Sequence, residues 1–261
     1  MDELSAFLFA PEALKENEAR LIDRADLVFT GGNSLYLAKK HLHKNIHCFP
    51  SSIDKDHFRT ARGGRNEPLD QMGIGCPRIG FFGVIDERLD IDLLKEVAEA
   101  RRDWQFVLVG PIVKIDPATL PQAPNIHYMG QKPYTELPAY LSGWDIAMMP
   151  FANNASTKFI SPTKTPEYLA GGKPVIAPSI ADVVHPYGEL GLVAIADTAR
   201  DFIQAAEGIL RRGASEQWLQ RVDCYLKDLS WDNTVAGMRA LMEKGLRKKM
   251  ISSIQKPASY V

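Results

Sequence analysis

The sequence predicts an α/β fold, with a parallel sheet covered by helices on both faces and a small α/β fragment ahead of it. Three observations predict it. Short, continuous apolar runs recur between residues 79 and 195, stretches of helical periodicity separate them, and Gly83, Gly110, Gly130 and Pro150 close four of the runs. Apolar runs that do not alternate are strands buried on both sides, and the intervening helices supply the cover. Ligands on such sheets bind at the carboxyl ends of the strands, so those four closing residues mark where a site is expected.

The bulk numbers exclude several classes. A chain of 261 residues has room for one large domain, or one domain and a fragment. Its 45% hydrophobic and 24% charged residues are ordinary for a water-exposed globular chain. A net charge of −1 gives no field to recruit nucleic acid. Cys48, Cys76 and Cys224 are odd in number and far apart, which suits a reducing compartment and neither a disulfide framework nor a metal centre. There is no apolar run long enough to span a bilayer, and the N-terminus lacks the pattern of a signal peptide. A cytoplasmic location is expected.

In order, residues 12–25 read as an amphipathic helix through Leu14, Ala19, Leu21, Ile22 and Ala25. Residues 26–30 are a short buried strand stopped by Gly31-Gly32. Asn33 or Ser34 caps a helix to about His41, and Ile46 to Phe49 form a second strand closed by Pro50. This is half of an α/β sheet, too little to bury its own faces, and it reads as the tail of a domain whose beginning is missing. Residues 60–77, rich in Gly, Arg, Asn and Pro and without periodicity, read as a linker. Strands then follow at 79–82, 106–109, 126–129, 145–149, 174–177 and 192–195. Helices are expected at 91–101 and 134–141, after residue 161, and near 199–211, 215–228 and 232–247. The last dozen residues read as a frayed polar tail, and the run Arg247-Lys248-Lys249 just before them fits a solvated end better than a contact with an anionic surface.

The stretch Ser161-Pro162-Thr163-Lys164-Thr165-Pro166-Glu167 carries the strongest chemical signal. A loop entering a helix offers unpaired backbone N–H groups, and Lys164 adds a cation, so an anion is expected there. Glu167, about a turn further on, is placed to accept hydrogen bonds from sugar hydroxyls. The helix starts either with Ser161 as cap and Pro162 at the first position, or with Thr165 as cap and Pro166 first. The loop 83–90 brings Gly83, where a ligand can approach the backbone, and Arg88. That arginine either reaches into the strand-end crevice or pairs with Asp86 or Asp92. Asp90-Ile91-Asp92 has the form of a metal-binding triplet but sits at a helix start, where capping explains it. The dinucleotide fingerprint, the phosphate loop and the nucleophile elbow are absent.

The segment from Ser161 to Lys164, with Glu167-Tyr168-Leu169-Ala170-Gly171-Gly172-Lys173-Pro174-Val175, resembles the donor-site segment of family-4-type glycosyltransferases of the GT-B fold. Phe82 to Asp90 resembles their phosphate-contacting loop, Pro50 to Phe58 their interdomain crossover, and Ser230-Trp231-Asp232 the start of their final helix. The four stretches stand in family order. The resemblance implies a Rossmann-like, doubly wound C-terminal domain at 78–230, a crossover and linker at 50–77, and a helix from 231 that returns to the other domain, ending in the tail. Residues 1–49 then correspond to the end of an acceptor domain, and Met1 to an internal methionine.

By the same resemblance, Arg88 and Lys164 neutralise a donor diphosphate, with Gly83 and the backbone of Ser161, Pro162 and Thr163 beside it. Glu167 binds the ribose, and Gly130 and Gln131 lie near the base. The donor is expected to be a UDP-sugar serving as substrate, with no cofactor or metal and with retention at the anomeric carbon. The acceptor is a glycan or lipid held by the missing domain, with no nucleic acid; any peripheral membrane contact would come through the basic run Arg247-Lys248-Lys249. One position departs from the pattern. Many relatives carry a second glutamate eight residues before the ribose-binding one, and here Phe159 stands there. A nucleotide-sugar-binding domain without activity and a nucleotide-sugar epimerase of the same fold are the alternatives.

Overall fold

A computed structural model describes residues 4–254. The chain opens with helix α1 (Leu14–Arg24), strand β1 (Val28–Thr30), helix α2 (Asn33–Lys39) and strand β2 (Ile46–Cys48). β1 and β2 pair in parallel as a two-stranded sheet. Ile22, Leu35 and Ile46 are buried here, whereas Leu21 and Leu37 are 67% and 51% exposed. A cavity of about 440 Å³ lies among these elements. Two strands and two helices do not close around a core of their own.

The crossover descends from Pro50 into helix α3 (Lys55–Arg59), whose N-cap Asp54 accepts the His57 N–H at 3.1 Å. Sequence periodicity gave no sign of α3, because five residues are too few to show one. Residues 60–77 were expected as a linker and are instead folded against the main domain. They contain helix α4 (Leu69–Met72) and the fully buried Gln71. Gln71 Oε1 accepts from Trp144 Nε1 at 2.9 Å, and Gln71 Nε2 donates to the Tyr140 carbonyl at 2.9 Å. Arg78, 3% exposed, pairs with Glu67. Polar anchors of this kind have no periodic signature, so the composition misled.

The main sheet contains β3 (Arg78–Phe82), β4 (Gln105–Val109), β5 (Ile126–Tyr128), β6 (Ile146–Met148), β7 (Val175–Ala177) and β8 (Val193–Ile195). All neighbours are parallel, in the order β5-β4-β3-β6-β7-β8. This is the doubly wound Rossmann-like order, and its switch point lies between β3 and β6. The helices are α5 (Ile91–Ala100), α6 (Leu137–Ser142, entered through a 3₁₀ turn at Tyr134–Glu136), α7 (Lys164–Ala170), the short α8 (Ala181–Val183), α9 (Ala199–Arg212) and α10 (Glu216–Leu226). Asp90 caps α5 through the Leu93 N–H at 2.9 Å, which accounts for the acidic triplet.

The last helix, α11 (Trp231–Ile254), starts at Ser230, whose hydroxyl accepts the Asn233 N–H at 3.1 Å. It returns to the first sheet. Phe49 packs against Gly237, and Lys249 Nζ lies 2.6 Å from Asp26 Oδ2. Helix continues to residue 254, so the expected frayed tail is helical over 250–254. Residues 255–261 lie outside the described residues. No described helix is long and apolar enough to cross a membrane.

Candidate functional site

The site forms where β3 and β6 part. Their ladder is registered only at Ile79↔Ile146 and Gly80↔Ala147, so the Phe82 N–H on the β6 side has no strand partner. A buried donor without a partner is costly, and α7 supplies one. The hydroxyl of Tyr168, fully buried, accepts from Phe82 N at 2.9 Å and donates to Phe82 O at 3.3 Å. The Tyr168 ring packs edge-on against Phe82 at 4.6 Å. Thr165, also fully buried, reaches Met149 Sδ at 3.0 Å, one residue past the end of β6. These two contacts fix the rotation of α7, and Lys164 and Glu167, three residues apart, fall together on its other face.

α7 starts at neither of the two expected caps. Its N-cap is Thr163, with Lys164 first and Pro166 third. The first four N–H groups of a helix have no partner within it, so Pro166 sits there without losing a bond.

The floor of the site is backbone. Gly83, Gly110 and Gly130 end β3, β4 and β5 with φ of +152°, +156° and +68°. Gly83 N donates to Val109 O and Gly110 N to Gly130 O, each at 2.9 Å. A Cβ on Gly110 would strike the Gly83 carbonyl, and one on Gly83 would strike Lys164 Cε. Lys164 therefore lies directly over Gly83. Burial pushes the Glu167 carboxyl up to about 7, a rise that the neighbouring Lys164 charge only partly offsets.

Arg88 is engaged with the protein. Its Nε and Nη2 lie 2.9 and 2.7 Å from the Oδ1 and Oδ2 of buried Asp86, and its guanidinium stands 5.4 Å from the Phe7 ring and 5.9 Å from the Phe151 ring. Ser161, Pro162 and Thr163 are half-buried and Gln131 is exposed. Phe159 is half-buried beneath Lys158, 5.2 Å from its ring centre. Among the described residues, no group of three or more His, Cys, Asp or Glu is arranged to hold a metal.

The structure adds two features that the sequence did not reveal. Asp182 of α8 accepts the Ser34 N–H at 2.8 Å, and a Cβ on Gly32 would meet both Asp182 Oδ2 and Ser161 Cβ. The loop after β1 thus faces the donor-type loop directly, and the Gly31-Gly32 pair was its one sequence signal. The second feature is Tyr134, stacked on His57 of α3.

A parallel Rossmann-like sheet in this order belongs to the GT-B fold, and the comparisons agree on the fold. The chain belongs to the family described as Glycosyl transferases group 1, whose model matches residues 76–212. It is 28% identical over 220 residues to a Bacillus subtilis protein described as the teichuronic acid biosynthesis glycosyltransferase TuaH, covering 80% of this chain and 55% of that protein. Among solved structures it resembles sucrose-phosphate synthase from Thermosynechococcus elongatus, with TM-score 0.69, 19% identity, and coverage of 92% of this chain and 63% of that one. It also resembles HepE from Anabaena in complex with UDP and glucose, with TM-score 0.64, 12% identity, and coverage of 92% and 69%. At these identities the two structures establish the shared fold. The chain spans about half the length of the curated relative it matches.

Proposed function

We propose that this chain is the nucleotide-sugar-binding half of a glycosyltransferase, moving a sugar from a UDP-linked donor to a glycan or lipid acceptor. The observation that carries the reading is the pairing of Lys164 over Gly83 with Glu167 one turn on, at the switch point of the sheet. A diphosphate against Gly83 meets the Lys164 ammonium, and a ribose one step further offers its hydroxyls to Glu167. Relatives of the same fold support the reading, since HepE was solved with UDP and glucose. Residues 1–49 are then the closing part of an acceptor domain, residues 50–77 the crossover and residues 78–230 the donor domain.

In the mechanism, negative charge builds on the leaving diphosphate, and Lys164 stabilises it without needing a metal. A fixed cation aimed at developing charge needs no reorganisation in the transition state. Arg88 joins Lys164 by turning part of its guanidinium from Asp86 to the phosphate. Retention at the anomeric carbon follows from the family resemblance. Calorimetric titration with UDP and UDP-sugars tests the reading. Saturable binding that Lys164→Ala weakens is expected, and no binding of either ligand would overturn it.

A second reading, nucleotide-sugar binding without transfer, is favoured by one observation: the doubly bonded Arg88–Asp86 pair commits the guanidinium to the protein. Incubating a UDP-sugar with candidate acceptors separates the two readings, because only transfer produces a new glycoside.

A further inference from the structure

Seven residues make a helix too short to hold its own place, so the position of α7 is set by what grips it. Along its length Thr165 and Tyr168 fix its rotation. Its carboxyl end carries carbonyls that have no partner inside the helix. Gly171 N reaches the Glu167 carbonyl at 3.0 Å, Lys173 N the Tyr168 carbonyl at 3.0 Å and Gly172 N the Leu169 carbonyl at 2.9 Å. The Ala170 carbonyl remains, and the residue four positions on is Pro174, which has no N–H to give.

Arg62 takes that carbonyl. Its Nε donates to Ala170 O at 2.6 Å, and its Nη2 lies 3.4 Å from Leu169 O. A cation is favoured at this end of a helix, where the backbone dipole is negative. The rest of the guanidinium is fixed by Asp223 of α10, with Nη2 2.9 Å from Oδ1 and Nη1 3.0 Å from Oδ2. Two parallel bonds of this kind set the plane of the guanidinium as well as its place. Its stem passes over Gly172, where a Cβ would come within 3.3 Å of Arg62 Cγ.

Lys164 is the first residue of α7 and Ala170 the last, about 9 Å apart along the axis. A helix this short moves as a unit. If its carboxyl end is released, its first turn shifts too, and Lys164 leaves its place over Gly83. The fit there is close, since the lysine fills the volume that a Cβ on Gly83 would need. A misplacement of about 1 Å in a group that meets the substrate is enough to cost roughly two orders of magnitude in rate.

We propose that Arg62 is a positioning residue of the donor site, which sets Lys164 against the anion by holding the far end of α7. The proposal rests on the nucleotide-sugar reading of the site. Arg62 lies in the stretch between the two sheets, and Asp223 lies on the helix before α11, which returns to the first sheet. The donor helix is therefore tied to both segments that connect the main domain to the first sheet.

The test is a double-mutant cycle. The wild-type chain, Arg62→Met, Lys164→Ala and the double variant are titrated calorimetrically with UDP and inorganic pyrophosphate, at a temperature where melting curves show each to be folded. Arg62→Met keeps an apolar stem and removes every donor. It is expected to weaken UDP and pyrophosphate alike, roughly tenfold, because both ligands meet Lys164. In the Lys164→Ala background the same change should cost pyrophosphate nothing further, whereas a merely structural loss would add to that of the lysine. Arg62→Lys, which can reach one of the two partners, should recover part of the affinity. Where Arg62→Met does not fold, Asp223→Asn carries the cycle in its place, with a smaller loss of the same kind. Unchanged affinity in the folded variant, or a loss that is the same with and without Lys164, overturns the proposal. A wild-type chain that binds neither ligand overturns the donor reading itself.

Discussion

The side chain of Lys164 lies across Gly83, with Nζ 3.3 Å from the point where a Cβ would stand and Cε nearer still. A residue on α7 and the end of β3 thus share one small volume, which only glycine leaves open. Gly83→Ala meets two penalties, the collision and a φ of +152° that a side chain rarely adopts. We expect a stability loss of about 1–3 kcal/mol from the backbone alone, read from urea unfolding. Lys164 is displaced as well, so UDP affinity should fall roughly tenfold or more, the worth of one charge-assisted hydrogen bond.

Lys164→Ala separates the cation from the backbone. The lysine starts α7 and packs no core, so the melting temperature should stay within a few degrees of wild type. In any assay that shows sugar transfer, turnover should fall by about 10²–10³, the loss seen when one preorganised contact to a developing anion is removed. An equal fall in melting temperature for Lys164→Ala and Gly83→Ala would show the lysine to be structural.

Glu167 gives the site a pH signature. Its carboxyl, near 4.5 when unperturbed, is pushed up to about 7 in the folded protein by burial. Between those values the unfolded chain has released a proton that the folded protein keeps. The stability contributed by this group is therefore whole below pH 4.5 and is lost as pH rises through 7. Compared with Glu167→Gln, the wild-type melting temperature should decline across that window and run parallel outside it. Ribose hydroxyls donating to the carboxylate favour its charged form. Binding of UDP near pH 6.5 should then release a proton, detected as a buffer-dependent calorimetric heat that Glu167→Gln abolishes.

Asp182 joins the two sheets. It caps the first turn of α2 through the Ser34 N–H, and burial holds its own carboxyl above the usual range, opposed by the hydrogen bonds from Ser34 and Asn33. Asp182→Ala should cost about 0.5–2 kcal/mol, as for other lost caps. Hydrogen exchange at the Ser34 amide should accelerate by more than exchange in β3 does. Uniform acceleration would mean that the contact contributes to the whole domain and does not act locally.

Much of this could be read from residues alone. All six strands of the main sheet were legible because each is a short continuous apolar run, and most are closed by a breaker, as Ile79 to Phe82 is by Gly83. Asp90 could be read as a cap because capping is a local rule. The start of α7 could not. Ser161-Pro162 and Thr165-Pro166 both fit a helix entry, and the choice of Thr163 follows from Tyr168 reaching Phe82, a contact between residues 86 apart. Gln71 and Tyr134 were missed for the same reason. Trp144 is 73 residues from Gln71, and His57 is 77 from Tyr134. Of the donor-type residues, the structure brings Gly83, Lys164 and Glu167 together around the switch point. It also gives Arg88 a carboxylate partner, one of the two alternatives its sequence left open.

The three strand-end glycines have a consequence for anyone wishing to redesign this protein. A floor made of main chain has no side chains to exchange, and at Gly83 and Gly110 even a methyl group collides with its neighbours. Libraries aimed at new donors would waste their diversity there. Variation introduced along the turn that follows Gly130, from Gln131 to Tyr134, leaves that floor as it is.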